Sequence, residues 1–181
     1  SLRWLRDYID ISLSPSELAD CLTMSGLEVE SVEEVSPGFS GVAVARIVAV
    51  TAHPNSDRLV LCDVATGAGN CRVVCGAPNV KEGLIVPLAK VGSSIPGGYT
   101  IKRSAIRGIE SEGMLCSEEE LGIGDDSSGI MVLPENLDLG QDLAVALDLT
   151  DQVFDIGVTP NRSDCLSIMG IAREIAAITG V

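Results

Sequence analysis

The chain has 181 residues, of which 46% are hydrophobic and 21% charged, with a formal net charge of −14. That is room for one large domain or two small ones around an ordinary buried core, and the negative total argues against a broadly nucleic-acid-coating surface. No apolar run of about 18 residues exists to span a membrane, and the first residues lack the basic-then-apolar pattern of a secretory signal.

Residues 1–38 read as helical at first. Leu2, Leu5 and Ile9 recur at helical spacing. SPSEL then supplies a start signal: Ser14 can cap, Pro15 suits the first helical position and Glu17 completes a capping box. Leu18, Cys21 and Leu22 share one face of that helix, and Gly26 is a natural stop. LEVESVEEV alternates apolar and acidic residues as a half-buried strand does.

From residue 39 the pattern changes. VAVARIVAV, LVLCDVA, CRVVC, LIVPLAKV and IKRSAIRG are strand-like runs separated by the turns GAGN, GAPN and PGGY. About five strands in under 110 residues predict a small closed barrel of the OB type, since an immunoglobulin-type sandwich needs about seven. CSEEELGIG follows with a second capping box, Ser117 and Glu120, opening a short helix. GIMVLP is one more strand candidate, and GQDLAVAL a short amphipathic helix.

At the end, VFDIGV reads as a strand and TPNRSD as a turn. A helix then places Ile168, Ile171, Ala172, Ile175 and Ile178 on one face. Residues 1–38 are the expected cover for that face. The chain is therefore expected to hold an OB-fold barrel, residues 39–151, inserted into a small discontinuous helical domain, residues 1–38 and 152–181. The abrupt ending reads as an excised fragment.

Charge is unevenly distributed. Residues 40–115 carry 8 basic and 5 acidic side chains, whereas residues 116–155 carry 11 acidic and no basic ones. Arg58, Arg72, Lys81, Lys90, Lys102, Arg103 and Arg107 are the basic candidates of this island. Lys102 and Arg103, being adjacent, face opposite ways unless a bulge or strand end intervenes. Phe39 and Tyr99 are the only barrel aromatics available to stack on a base, so backbone and shape contacts would dominate any RNA recognition.

Catalytic signals are absent. His53 is the sole histidine, and no motif supplies it with a nucleophile. Pro54, Asn55, Ser56 and Asp57 are turn formers leading into LVLCDV, which gives the stretch a loop-positioning role. The six cysteines match no standard zinc spacing and are expected to be reduced core thiols.

HPNSDRLVLCDVATG, VVCGAPNVKEGLIVPLAKVG, IRGIESEGMLCSEEELGI and TPNRSDCLSIMGIAREIAA together resemble the N-terminal part of the bacterial phenylalanyl-tRNA synthetase beta subunit. The likeness also takes in SLRWLRDYIDISLSPSELADCLTMSGLEVE. HPNSDRL and RGIESEGMLCS are similar to the wider tRNA-binding OB domain. The resemblance implies a mainly β fold with flanking α: a tRNA-binding OB barrel set in a winged-helix-like helical domain. It implies a cytoplasmic enzyme of two alpha and two beta chains that joins phenylalanine to its tRNA with ATP and magnesium. Aminoacylation and editing would lie outside these residues, so the fragment would have no cofactor and no catalytic site. By motif position, His53, Asn55, Asp57, Arg58, Ser111, Glu112, Gly113 and Met114 form the family's signature surface. Asn55, Arg58, Lys102, Arg103, Arg107, Ser111 and Met114 are then the expected tRNA-binding residues, with Glu110 and Glu112 as alternatives that satisfy barrel-closing backbone donors. A structural module packed on other parts of the synthetase, with little tRNA contact, is the competing expectation.

Overall fold

A computed structural model describes residues 1–181. In chain order the elements are α1 (Leu2–Arg6), α2 (Pro15–Met24), β1 (Glu28–Val35), β2 (Ser40–Ala52), β3 (Val60–Ala65), β4 (Asn70–Cys75), β5 (Ile85–Ile95), β6 (Tyr99–Thr100), β7 (Ser104–Ile106), β8 (Ile109–Ser111), β9 (Gly113–Leu115), α3 (Glu118–Leu121), α4 (Leu143–Ala146), β10 (Asp151–Gly157), a 3-10 helix (Pro160–Cys165) and α5 (Ile168–Thr179). They form two compact units, residues 1–36 with 150–181 and residues 37–149. No helix is long and apolar enough to cross a membrane.

Unit 1 joins its two chain segments through a ribbon. β1 pairs antiparallel with β10, from Glu28 opposite Gly157 to Val35 opposite Asp151. Ser1 Oγ donates to Asp151, and the Arg3 N–H reaches the same carboxylate at 3.0 Å. α2 starts as its sequence dictates: Pro15 occupies the first turn, the Ser14 hydroxyl accepts the Glu17 N–H, and the Glu17 carboxylate accepts the Ser14 N–H. The core holds Leu2, Leu5, Leu18, Leu22, Leu27 and Ile175, with Phe154 and Ile156 packed against it. Helices with a two-stranded antiparallel ribbon make the winged-helix-like composition expected of this part. TPNRSD, expected as a turn, tightens into the 3-10 helix.

That 3-10 helix is pinned to α5 by one guanidinium. Arg162 Nη2 donates to Asp164 at 3.2 Å and to Glu174 at 2.7 Å, and it lies 3.0 Å from the Cys165 sulfur. The backbone approaches closely here. A Cβ on Gly170 would sit 1.8 Å from the Asp164 carbonyl oxygen, so only glycine fits.

Unit 2 is built on one curled sheet, ordered β4-β3-β2-β5-β6, with β9 also pairing β5. Register shifts between Ser40 and Val42 and between Ile47 and Ala49 bend β2, as bulges do. Alternate residues of β2 and β5 serve two different cores. Ala45, Ile47, Val86 and Leu88 face Cys62, Val64, Val73 and Leu115 in the barrel interior. Val42, Val44, Ile85 and Ala89 face Phe39, Cys116, Leu121, Leu133 and Leu143 on the outer side. The outer cover is the acidic stretch after residue 115. It drops leucines onto the sheet and keeps nearly all its carboxylates exposed or half-exposed.

Two expectations change. GIMVLP is not a strand: its backbone is satisfied by scattered partners, Asn79 at Ile130, Cys116 O at Met131 and Ile85 O at Leu133, leaving a single bridge instead of a ladder. IKRSAIRG is not one strand either. Ile101 still pairs with Ser93, Lys102 and Arg103 lie outside any strand, and only Ser104–Ile106 resumes. That break frees both cations to be exposed.

Gly170→Ala should destabilise the folded chain by roughly 3 kcal/mol or more, because the added methyl meets backbone that cannot yield without unseating the 3-10 helix. Urea unfolding of the variant measures it; a change below about 0.5 kcal/mol would contradict the close approach.

Candidate nucleic-acid interface

The stretch His53–Arg58 is the loop between β2 and β3, and its histidine is a brace. His53 is only 4% exposed. Its Nδ1 lies 3.1 Å from the Asn55 N–H, which can only donate, so Nδ1 is the unprotonated nitrogen. Nε2 therefore carries the proton and donates to the Ile106 carbonyl at 3.2 Å. Asn55 extends the clasp. Its Nδ2 donates to the Arg107 carbonyl at 3.1 Å, and Arg107 Nη1 donates back to the Asn55 carbonyl at 3.2 Å. Arg107 and Gly108 have φ of 48° and 89°, the two left-handed positions of the tight turn joining β7 to β8. Loop 53–58 and hairpin 104–111 thus form one tied surface.

A second set of bonds closes the barrel. The Glu112 N–H donates to the Arg72 carbonyl at 2.9 Å, and the Glu112 carboxylate accepts the Arg72 N–H at 3.2 Å. The Ser111 hydroxyl accepts the Val74 N–H at 3.1 Å and donates to the Gly113 carbonyl at 2.9 Å. The open edge of β4 is satisfied in this way by side chains and backbone of residues 111–113. Glu112 fulfils the barrel-closing alternative. Glu110 makes only a loose approach to Arg103 at 3.9 Å.

These bonds sort the expected contact residues. Asn55 and Arg107 are together in the clasp. Arg58, in the same loop, and Lys102 are exposed and make no ion pair. Arg103 is exposed but paired with Glu112 at 2.9 Å. Ser111 is a correction to the surface reading: it is 2% exposed, with donor and acceptor both engaged inside the barrel. His53 is corrected likewise from surface to brace. Met114 is half-buried and lines a different groove, of about 400 Å³, beside Glu119 and Glu120. Of the two barrel aromatics, Phe39 is core and Tyr99 is 69% exposed.

Sequence reasoning missed the ion-pair chain along this face. Arg72 Nε donates to Asp63 Oδ1 at 2.9 Å across the β3–β4 register, in which the two residues are direct partners. The hydrogen bond to Asp63 and the charge of that carboxylate hold the Arg72 guanidinium above its ordinary value. Arg72, Asp63, Glu110 and Glu112 line a groove of about 530 Å³. Its walls carry mixed signs. The hairpin register of LCDVATGAGNCRVV was the signal that could have found the Asp63–Arg72 pair.

Nothing here resembles a reactive centre. All six cysteines are free thiols. Burial, with a smaller contribution from Cys75, pushes the Cys62 thiol up to about 12; burial and then Glu120 do the same for Cys116. The one set of three metal-type donors within 4.8 Å, Asp164, Cys165 and Glu174, already surrounds the Arg162 guanidinium. A cation does not fit beside it. Those carboxylates in turn hold the Arg162 guanidinium well above its ordinary value, Asp164 first and Glu174 next.

The family model described as "Putative tRNA binding domain" matches residues 42–142, more than half of the chain, and the chain belongs to that family. Over 99% of its length it is 68% identical to the phenylalanine–tRNA ligase beta subunit of Syntrophus aciditrophicus, covering 22% of that protein. It is 54% identical to the beta subunit of Geobacter metallireducens and 53% identical to that of Dechloromonas aromatica, each over 98% of this chain and 22% of the relative. The chain thus spans about a fifth of the curated relatives it matches. Among solved structures, a MetRS related protein from Pyrococcus horikoshii aligns over 56% of this chain and 87% of its own, with a TM-score of 0.42 and 17% identity.

Two outcomes follow from the brace and the thiols. Nitrogen-detected NMR should find His53 as the neutral Nε2–H form, and His53→Ala should lower stability by about 2 kcal/mol through two lost buried hydrogen bonds; a proton on Nδ1 in the native state would contradict the brace. A thiol with a value near 12 is ionised to about one part in ten thousand at pH 8. Cys62 and Cys116 should therefore resist a thiol reagent at pH 8 until the chain is unfolded, and labelling of either within minutes in the native state would contradict their placement.

Proposed function

We propose that this chain is the accessory tRNA-binding module of the beta subunit of a phenylalanine–tRNA ligase, a non-catalytic region that touches tRNA along the surface formed by loop 53–58 and residues 102–112. The observation that carries this reading is the family match over residues 42–142, which encloses that whole surface. The clasp supports it by fixing Asn55 and Arg107 in one geometry, and Arg58 in the same loop and Lys102 ahead of the hairpin are exposed cations without an ion pair. In this reading Arg58, Lys102, Arg107 and Asn55 meet phosphate and sugar. Arg103 reaches RNA only by exchanging Glu112 for phosphate. Ser111 acts from inside the barrel by holding the edge of β4. Met114 stands at a separate, acidic groove and is the weakest member of the set.

The wider enzyme follows from the same reading. The ligase would join phenylalanine to its tRNA with ATP and magnesium, in a cytoplasmic assembly of two alpha and two beta chains. The donor set in this chain does not suit a magnesium ion, so no step of that reaction is assigned to these residues.

The competing reading, a structural module with little tRNA contact, is favoured by one observation: Arg72 and Arg103 already have carboxylate partners, Asp63 and Glu112. The two readings separate by salt dependence. In the assembled ligase, Arg58→Ala with Lys102→Ala should reduce the slope of log affinity for tRNA against log salt by about 1–2, one counterion-releasing contact per cation. Filter binding across salt concentrations measures the slope. An unchanged slope and affinity would favour the structural module.

A further inference from the structure

Exposed apolar side chains are concentrated in the smaller unit. Fifteen large hydrophobic residues are exposed in the chain, and ten of them belong to unit 1. Single exposed apolar residues are ordinary, but a grouped set marks a surface that meets another molecule. Six of the ten, Trp4, Tyr8, Leu166, Met169, Ile178 and Val181, lie on or beside α1 and α5, and the other four lie on α2 and the β1–β10 ribbon. α1 sends Leu2 and Leu5 into the core and leaves Trp4 outside at 53% exposure; one turn on, Tyr8 is half exposed as well. α5 buries Ile171 and Ile175 and presents Met169, which is 49% exposed. Trp4 and Leu166 flank a groove of about 350 Å³ on this seam, and Tyr8 and Met169 flank a second of about 460 Å³.

We propose that the α1–α5 face is an internal docking surface, covered in the full-length protein by another part of the same polypeptide. This rests on the reading of the chain as part of a beta-subunit-like protein, and it is independent of tRNA contact. The relatives match 98–99% of this chain with only 22% of their own length, so most of their polypeptide lies outside the residues described. RNA is the poorer occupant. Unit 1 carries twelve acidic and four basic side chains, which opposes phosphate, and the grooves are lined mainly by apolar residues. Interfaces between domains of one chain are built of such partly apolar surface.

Met24 supplies an internal reference, because it lies on α2 of the same unit at 87% exposure. Peroxide oxidation of the full-length assembled protein, read by mass spectrometry, compares each methionine with its own rate in the urea-unfolded chain. Left uncovered, Met169 should react at roughly half the rate of Met24, as their exposures give. The proposal expects Met169 to react at least about tenfold more slowly than Met24, at all protein concentrations and without tRNA. It also expects benzoylphenylalanine introduced at position 4 to crosslink to a peptide of the same chain. Rates in the uncovered ratio, or equal protection of both methionines, would overturn it. So would protection lost on dilution, protection that needs tRNA, or a crosslink only to a different chain. Loss of tRNA binding in the Arg58 and Lys102 variants would leave this result untouched, so the two readings fail separately.

Discussion

Everything in unit 2 depends on β2 and β5 being buried on both faces. A strand in that position has no side left for water, so its residues read as near-continuous apolar runs, and each face needs its own cover. The inner face is covered by curling the sheet until β4 meets residues 111–113. The outer face is covered by the stretch from Cys116 to Leu149. This constraint explains the charge pattern that looks contradictory in the sequence. The acidic stretch is a lid whose leucines point inward and whose carboxylates keep it soluble, and the basic island is the barrel it covers.

Barrel closure also shapes the candidate interface. The edge of β4 would present unpaired backbone groups to solvent. Glu112 and Ser111 satisfy them with a carboxylate and a hydroxyl, and in doing so they settle the fate of nearby charges. Arg72 and Arg103 are held by the carboxylates that serve the edge and its neighbours. Arg58 and Lys102 take no part in these pairs and stay exposed. A surface positioned so firmly by His53, Asn55 and Arg107 exposes few unpaired charges, which is why weak and salt-sensitive contact is the behaviour expected of it.

Local chemistry made much of the fold legible. Ser14 with Glu17 and Ser117 with Glu120 announced two helix starts, because a capping box is written within four residues. The valine- and isoleucine-rich runs announced the strands of the barrel. The interface was legible only as a neighbourhood. Asn55 could be named from motif position and Arg107 from the basic island, but their mutual bonds join residues 52 positions apart. Ser111 looked like a surface hydroxyl because nothing local marks it as the partner of Val74. GIMVLP misled for the same reason: its short apolar run is that of a buried strand, yet its hydrogen-bond partners come from three separate places, and those partners decide.

The pairing of β1 with β10 has a temporal consequence. On a ribosome, β1 emerges more than a hundred residues before the strand that completes its ribbon, and the whole of residues 37–149 is synthesised in between. The lid of the barrel likewise follows the strands it protects. Newly made chains therefore pass through a stage in which Val29, Val32 and the outer face of β2 have no partner, and early contacts cannot substitute for late ones. Folding of unit 1 waits on translation, and long-range pairing of this kind is slow and exposes apolar surface while it waits. A nascent chain that has released residues 37–149 but not yet β10 carries a complete barrel and an unfinished ribbon.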